Sequence, residues 1–178
     1  MTIQNNLATI QLDMHRAFIE LWKELPYSQI RVNKVCQQTP IARSTFYTYY
    51  DDLEQLKDDV EKRLIQGLAE KNQPLFTKEI KQVNDIAFVQ STLDYVECER
   101  DSFEAFLINQ VNVSFIEKWN HATKQQLLHI FPPKQENFDM KLDIFASSVI
   151  AAITHYLKKP AGSVNVHDLN RLIFKLLD

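Results

Sequence analysis

The sequence predicts an all-α protein, and three observations carry that expectation. Only Gly67 and Gly162 occur among 178 residues, too few for the hairpins and phosphate-cradling loops that depend on positive φ. Apolar residues recur three and four apart along most of the chain, the period of helices with one buried face. The prolines fall between those stretches, where helices are expected to stop.

The first stripe, Leu7, Ile10, Met14, Ala17, Phe18, Leu21, Trp22 and Leu25, predicts a helix over about 6–25, ended by Pro26. Two short helices come next, at about 32–38 and 42–48, with Thr39-Pro40-Ile41 as the turn between them. Phe46 is expected to face inward against Val35, Ile41 and the first helix, closing a small core with Phe18 and Leu21. Asp51 and Asp52 then open a longer helix, since carboxylates suit free amide donors and the helix dipole. Leu53, Leu56, Val60, Leu64, Ile65 and Leu68 carry that helix to about residue 71, and Asn72-Gln73-Pro74 is expected to break it.

Further helices are expected over about 79–99, around Phe103 to Ile108, over about 114–130 and over about 138–158. A last one should open at Asp168 and carry Leu169, Leu172, Ile173, Leu176 and Leu177. The helix at 138–158 mixes large apolar residues with Ser147, Ser148, Ala151 and Ala152, which let a neighbouring helix come close. Two apolar helices at the end of the chain predict a buried surface shared with a second copy, through about 138–177.

Composition excludes several classes. Hydrophobic content of 45% and charged content of 24% are ordinary for a globular protein. No apolar run approaches the length of a membrane span, and the first residues lack the pattern of a signal peptide, so the expected location is cytoplasmic. Cys36 and Cys98 stand singly and suit packing in a reducing compartment. His121 and His129 lie eight apart, and neither they nor His155, His167 and Cys98 have the tight spacing of a zinc site. No nucleophile elbow or cysteine–histidine neighbour suggests an enzyme. Neither a metal nor another cofactor is expected.

Charge is uneven along the chain. Residues 1–50 carry Arg16, Lys23, Arg31, Lys34 and Arg43 against Asp13, Glu20 and Glu24, a net of +2. The rest carries 15 basic and 20 acidic side chains, a net of −5 within the overall −3. A mildly basic N-terminal third on an acidic body fits a small DNA-reading unit (1–52) followed by a larger regulatory and dimerising one (53–178). The two short helices suit a helix-turn-helix, with the second entering a major groove. Arg43 is the foremost candidate for base contact, because a guanidinium can pair bidentately with guanine.

Residues 39–50, Thr-Pro-Ile-Ala-Arg-Ser-Thr-Phe-Tyr-Thr-Tyr-Tyr, resemble the N-terminal signature of the TetR family of bacterial transcriptional regulators, and the helix order over about 7–68 is similar to theirs. The resemblance implies a homodimer that reads a two-fold symmetric operator, with repression as the output. Release by a small effector in the C-terminal part is also implied. By position, Arg43, Ser44 and Thr45 would face base edges, Tyr47 a phosphate, and Thr48 and Tyr49 the flanking backbone. Asn33 offers a further phosphate contact. Tyr95, Phe103, Phe106, Phe115 and Trp119 are candidates for the lining of an effector pocket, although aromatics at helical spacing also suit plain core.

The sequence departs from the signature in places. Pro40 stands where the turn glycine is usual, so positive φ is not expected there and the turn should close another way. Cys36 replaces an alanine. Leu53 replaces a lysine, and Gln4-Asn5-Asn6 replaces basic residues, which removes phosphate contacts. Each lost contact lowers the salt slope by about one unit, so modest affinity and shallow salt dependence are expected. The other reading is a helical dimer that serves as a protein-interaction module, its DNA binding weak or lost.

Overall fold

The computed structural model describes residues 2–76, 86–130, 137–160 and 162–174. They are helical, with no strand among them: α1 (Thr2–Glu24), α2 (Val32–Gln38), α3 (Arg43–Tyr49), α4 (Leu53–Phe76), α5 (Ile86–Cys98), α6 (Arg100–Glu104), α7 (Val113–Ile130), α8 (Phe138–Leu157) and α9 (Val166–Phe174). A single 3₁₀ turn, Tyr27–Gln29, joins α1 to α2, and α6 runs into a π turn, Ala105–Asn109.

α1 packs on α2, on α4 and on the π turn; α4 packs on α5 and α7; α8 packs on α7 and α9. One hydrophobic core runs through these contacts, from Phe18, Val35 and Phe46 near the N-terminus to Phe103, Phe115, Phe145 and Ile153. The N-terminal helices and the rest of the chain therefore share apolar packing, which ties their relative placement to the side chains of one core.

The long apolar stripes became helices as expected, and four boundaries differ. α1 begins at Thr2. α4 runs through Pro74 to Phe76. A proline so near the end of a helix removes only one intrahelical hydrogen bond, and the turn before it is fastened to α5. There Asn72 Nδ2 donates to Thr92 Oγ1 (3.0 Å) and Ser91 Oγ donates to the Lys71 carbonyl (3.2 Å). The helix expected around Phe103–Ile108 is in part a π turn, closed by Gln110 N–H donating to the Ala105 carbonyl at 3.1 Å.

α9 opens at Val166 and not at Asp168, because Asn165 Oδ1 accepts from the amides of His167 (2.9 Å) and Asp168 (3.4 Å). The expected start of α4 holds. Asp52 Oδ1 accepts from the Gln55 amide (2.8 Å), and Gln55 Oε1 accepts from the Asp51 amide (2.6 Å). Residues 79–85 of the expected fifth helix lie outside the described residues, as do residues 175–178 of the last.

Candidate nucleic-acid interface

The turn between α2 and α3 is a helix-stop motif with an unusual occupant. Thr39 ends α2, donating its amide to the Val35 carbonyl (3.0 Å) and its hydroxyl to the same oxygen (2.8 Å). Ile41 N–H then reaches back to the Cys36 carbonyl at 3.3 Å, the six-to-one bond of a Schellman closure. Pro40 occupies the position that favours a left-handed residue, and its φ is 20°. Positive φ is not expected of a proline, and the structure departs from that expectation here. The turn is closed by the Ile41–Cys36 bond, with φ of Pro40 displaced from the −65° its ring prefers. Lacking N–H, Pro40 also cannot make the second bond of the motif.

α3 is oriented by Phe46, which is fully buried against Tyr47 and Tyr50, with ring centroids 5.5 and 5.8 Å away. At about 100° per residue, fixing Phe46 inward turns positions 43, 44, 47 and 48 to one outward face about 140° wide. Arg43, Ser44, Tyr47 and Thr48 are all exposed there. Arg43 Nη2 donates to Tyr47 Oη at 3.3 Å, and its guanidinium lies 5.9 Å from the centre of the Tyr47 ring. Thr48 Oγ1 donates to the Ser44 carbonyl at 3.0 Å, which leaves its oxygen lone pairs facing outward. Thr45 and Tyr49 are half-buried at the flank of this face, and Asn33 is exposed in the first turn of α2. The structure thus gathers four of the seven DNA-contact candidates on one surface, with two more at its edge.

Sequence reasoning did not single out what fixes that surface. Tyr50, directly after α3, is buried, and its hydroxyl donates to Asp59 Oδ2 on α4 at 2.7 Å. His15 of α1 joins the same group, with Nε2 2.9 Å from Tyr50 Oη and 3.0 Å from Asp59 Oδ2. Since the tyrosine proton is given to Asp59, His15 Nε2 carries the ring proton and donates, and Nδ1 is left buried without a partner. Burial pushes the His15 pKa below its usual value, with Asp59 opposing. Burial beside Asp59 raises that of Tyr50.

A second tie lies at the α1–α2 link. Tyr27 Oη donates to Glu54 Oε2 at 2.6 Å, Lys57 pairs with Glu54, and the Lys57 ammonium sits 5.3 Å above the Tyr27 ring. Hydrogen bonds from Lys57 and Tyr27 hold the Glu54 carboxyl below its usual range. Both ties join the first three helices to α4. Tyr50 and Asp59 are 9 positions apart, but His15 lies 44 from Asp59 and Tyr27 lies 27 from Glu54, beyond any local pattern.

The basic side chains of the N-terminal part divide into two groups. Arg16 pairs with Asp13 (3.2 Å), and Lys23 pairs with Glu20 (3.3 Å) and Asp101 (3.0 Å). Arg31 donates to the carbonyls of Ser28 (2.6 Å) and Ile30 (2.7 Å). Among the described residues, Arg31, Lys34 and Arg43 have no carboxylate partner, and all three belong to α2, α3 or the link before them. Within the N-terminal part, the positive charge available to an anion therefore lies beside the helix-turn-helix.

In the body, Tyr95, Phe103, Phe106, Phe115 and Trp119 do converge. Phe103, Phe106, Phe115 and Trp119 are buried, with neighbouring ring centroids 5.2 to 5.9 Å apart, and Tyr95 meets Phe103 edge-on at 6.1 Å. In this conformation they serve chiefly as packing partners. Trp119 alone of the five borders a crevice of about 20 Å³, with Asn72, Thr92 and Thr123 on its other walls. A larger cleft of about 590 Å³ lies between α1 and the α5–α6 corner, lined among others by His15, Arg16, Arg63, Glu99 and Arg100. Arg63 crosses it in a two-pronged pair with Glu99 (2.7 and 2.8 Å). No group of three or more His, Cys, Asp and Glu side chains among the described residues is placed to hold a metal ion.

α8 shows one face to the outside. Met140 (55% exposed) and Ile144 (46%) continue into exposed Ser147, Ala151 and His155, a spacing of three and four residues. Among the described residues no helix is long and apolar enough to cross a membrane.

No family model matches the sequence, and no curated protein matches it. Solved structures do. The chain is similar to a TetR transcriptional regulator from Streptococcus agalactiae 2603V, with a TM-score of 0.70 and 20% identity over 98% of this chain and 97% of that one. It is also similar to the dihydroxyacetone kinase operon activator DhaS, with a TM-score of 0.55 and 19% identity over 94% of this chain and 93% of that one. The all-helical fold expected from the sequence is thus the fold of a TetR regulator, matched along nearly the whole chain.

Proposed function

We propose that this chain, sharing the fold of a TetR transcriptional regulator, is itself a DNA-binding transcriptional regulator of the bacterial cytoplasm that acts as a homodimer. The observation that carries the proposal is the outward face of α3. Phe46 and Tyr50 hold the helix from behind, and Arg43, Ser44, Tyr47 and Thr48 project together from the side that has no packing duty. Arg43 would read a base edge, Tyr47 and Asn33 would hold phosphates, and Thr45, Thr48 and Tyr49 would border the groove. Residues 1–52 form the reading head and 53–178 the regulatory and dimerising body in this account.

The α8 face of Met140, Ile144, Ser147 and Ala151 is the surface we assign to the second copy, with α9 beside it. Its apolar and small side chains support close helix packing across a two-fold axis. Repression is the proposed output. A small effector would act by favouring a dimer conformation in which the two heads no longer match two successive half-sites. Opening the crevice at Trp119, Asn72 and Thr92 would give such a molecule a polar-edged apolar site.

Fluorescence polarisation with the DNA flanking the protein's own gene, over a series of salt concentrations, tests the proposal. Wild type is expected to bind with a salt-dependent affinity, and both Arg43→Ala and Tyr47→Ala to weaken it. Salt-independent or absent binding, with both variants behaving as wild type, would favour a protein-interaction module. The pairing of Arg16 and Lys23 with carboxylates gives that second reading its physical basis.

A further inference from the structure

The end of α1 presents three backbone groups that the helix cannot satisfy. The Trp22 carbonyl would accept from residue 26, but Pro26 has no N–H. The Leu25 carbonyl lies past the last helical turn, and the Tyr27 amide starts the 3₁₀ turn without an intrahelical acceptor. All three are satisfied by one side chain of the body. Gln110 Nε2 donates to the carbonyls of Trp22 (3.3 Å) and Leu25 (3.1 Å), and Gln110 Oε1 accepts from the Tyr27 amide (2.9 Å). The Gln110 carbonyl in turn accepts from Trp22 Nε1 at 3.0 Å.

Gln110 is placed by unusual backbone. It comes directly after the π turn, and the Gln110 and Asn112 amides reach back to the carbonyls of Ala105 (3.1 Å) and Phe106 (2.8 Å). A π turn holds one more residue than the α turn it replaces, so restoring α-helical register would rotate the downstream chain by about 100°. The same segment is fastened to the body's aromatic cluster, because Phe106 stacks edge-on with Trp22 at 5.1 Å and lies 5.2 Å from Phe115. Asn112 continues the linkage, donating through Nδ2 to buried Glu61 of α4 at 2.7 Å. Packing in the body is thereby connected to the exit of α1 on one side and to α4 on the other.

We propose that Gln110 is a positioning residue for DNA reading: it sets the angle at which the head leaves the body, and hence the separation of the two reading helices in the dimer. The proposal rests on the DNA-binding function proposed for the chain. Gln110 touches no DNA itself. Its effect is on geometry, so it should alter which half-site spacing is preferred more than how tightly a single head holds its half-site.

The experiment uses the full chain and a duplex recovered by wild type from a random DNA library, remade with the half-sites one and two base pairs closer and farther apart. Wild type is expected to prefer the recovered spacing by roughly tenfold or more, and Gln110→Ala to lose most of that preference. Equal weakening at every spacing would mean a merely structural role and would overturn the proposal.

Hydrogen exchange of the free protein supplies a readout independent of DNA. In Gln110→Ala the Tyr27 amide should exchange faster while α7 and α8 keep their protection. Gln110→Glu, which retains the acceptor but loses both donors, should leave Tyr27 protected and still blur the spacing preference. Unchanged exchange at Tyr27 in Gln110→Ala overturns the positioning role. Failure of wild type to recover any duplex instead overturns the DNA reading and the spacing claim with it, whatever the exchange shows.

Discussion

Tyr50 and Asp59 are joined by a 2.7 Å hydrogen bond that runs from the end of α3 to α4. His15 of α1 reaches the same carboxylate at 3.0 Å, so three segments of the head and linker meet at one carboxyl group. Removing the hydroxyl takes one donor from the partly buried carboxylate and leaves His15 as its remaining partner in this group. Tyr50→Phe is therefore expected to cost roughly 1–2 kcal/mol of stability, measured by denaturant unfolding with the slope unchanged.

The same cluster makes stability depend on pH. His15 is held neutral in the folded state, its pKa lowered from 6.5 chiefly by burial, with a bare Nδ1 that has no acceptor to receive a new proton's hydrogen bond. The unfolded chain takes up that proton first, so stability falls as pH drops below about 6.5, down to the folded-state value. Unfolding midpoints compared at about pH 7.5 and about pH 5.5 should show the decline. His15→Gln should flatten it, and an equal slope in that variant would assign the effect elsewhere.

Pro40 gives a prediction of opposite sign to the usual rule. Replacing proline by glycine in an ordinary loop destabilises, because the unfolded chain gains freedom. Here the proline holds the position of the helix stop that glycine takes most readily, with φ at 20° and so away from the value its ring prefers. Glycine would also supply the N–H that the helix-stop motif lacks. Pro40→Gly is expected to raise stability by about 1 kcal/mol, read as a higher melting temperature. A lower melting temperature would show that proline suits the turn better than glycine.

Gly67 lies within α4, where helix propensity alone favours alanine by about 1 kcal/mol. A methyl group there would come within 2.0 Å of the Tyr95 hydroxyl, far inside van der Waals contact. The Tyr95 ring is confined by its edge-on contact with Phe103, and burial beside Glu99 pushes its pKa up to about 12. Overpacking should win, so Gly67→Ala is expected to destabilise by roughly 1–3 kcal/mol. Combining it with Tyr95→Ala should cost less than the sum of the two single changes.

The exposed apolar face of α8 is tested by charge. A carboxylate at position 144 costs little where the side chain meets water but must be desolvated if a second copy covers it. If the proposed dimer forms through this face, Ile144→Asp is expected to convert it to monomer in sedimentation velocity while the helical circular dichroism is retained. A dimer of unchanged stability would move the interface off this face.

The helices were legible in the sequence because burial imposes a period on side chains a few positions apart. Phe18, Val35, Phe46, Leu64 and Ile153 could each be placed inward from their neighbours alone. The outward face of α3 was legible too, since one buried phenylalanine sets the direction of every other position on a seven-residue helix. The aromatics of the body were recognised as a group, but whether they enclose space or fill it depends on rotamers and helix separation. Periodicity carries neither.

The order of residues along the chain therefore decides local matters: which residues form helices, which side of each is apolar, and where charge collects. How the parts are held together emerges only once the chain is folded. Gln110 completes the backbone of α1 from 83 to 88 positions away, Asp59 joins Tyr50 and His15, and the Ile41 amide closes the end of α2 on the Cys36 carbonyl. The physical reason is the same in each case. A backbone carbonyl, a buried imidazole or a tyrosine hydroxyl must find a partner once water is excluded, and which partner it finds depends on folded proximity that no short-range pattern in the sequence encodes.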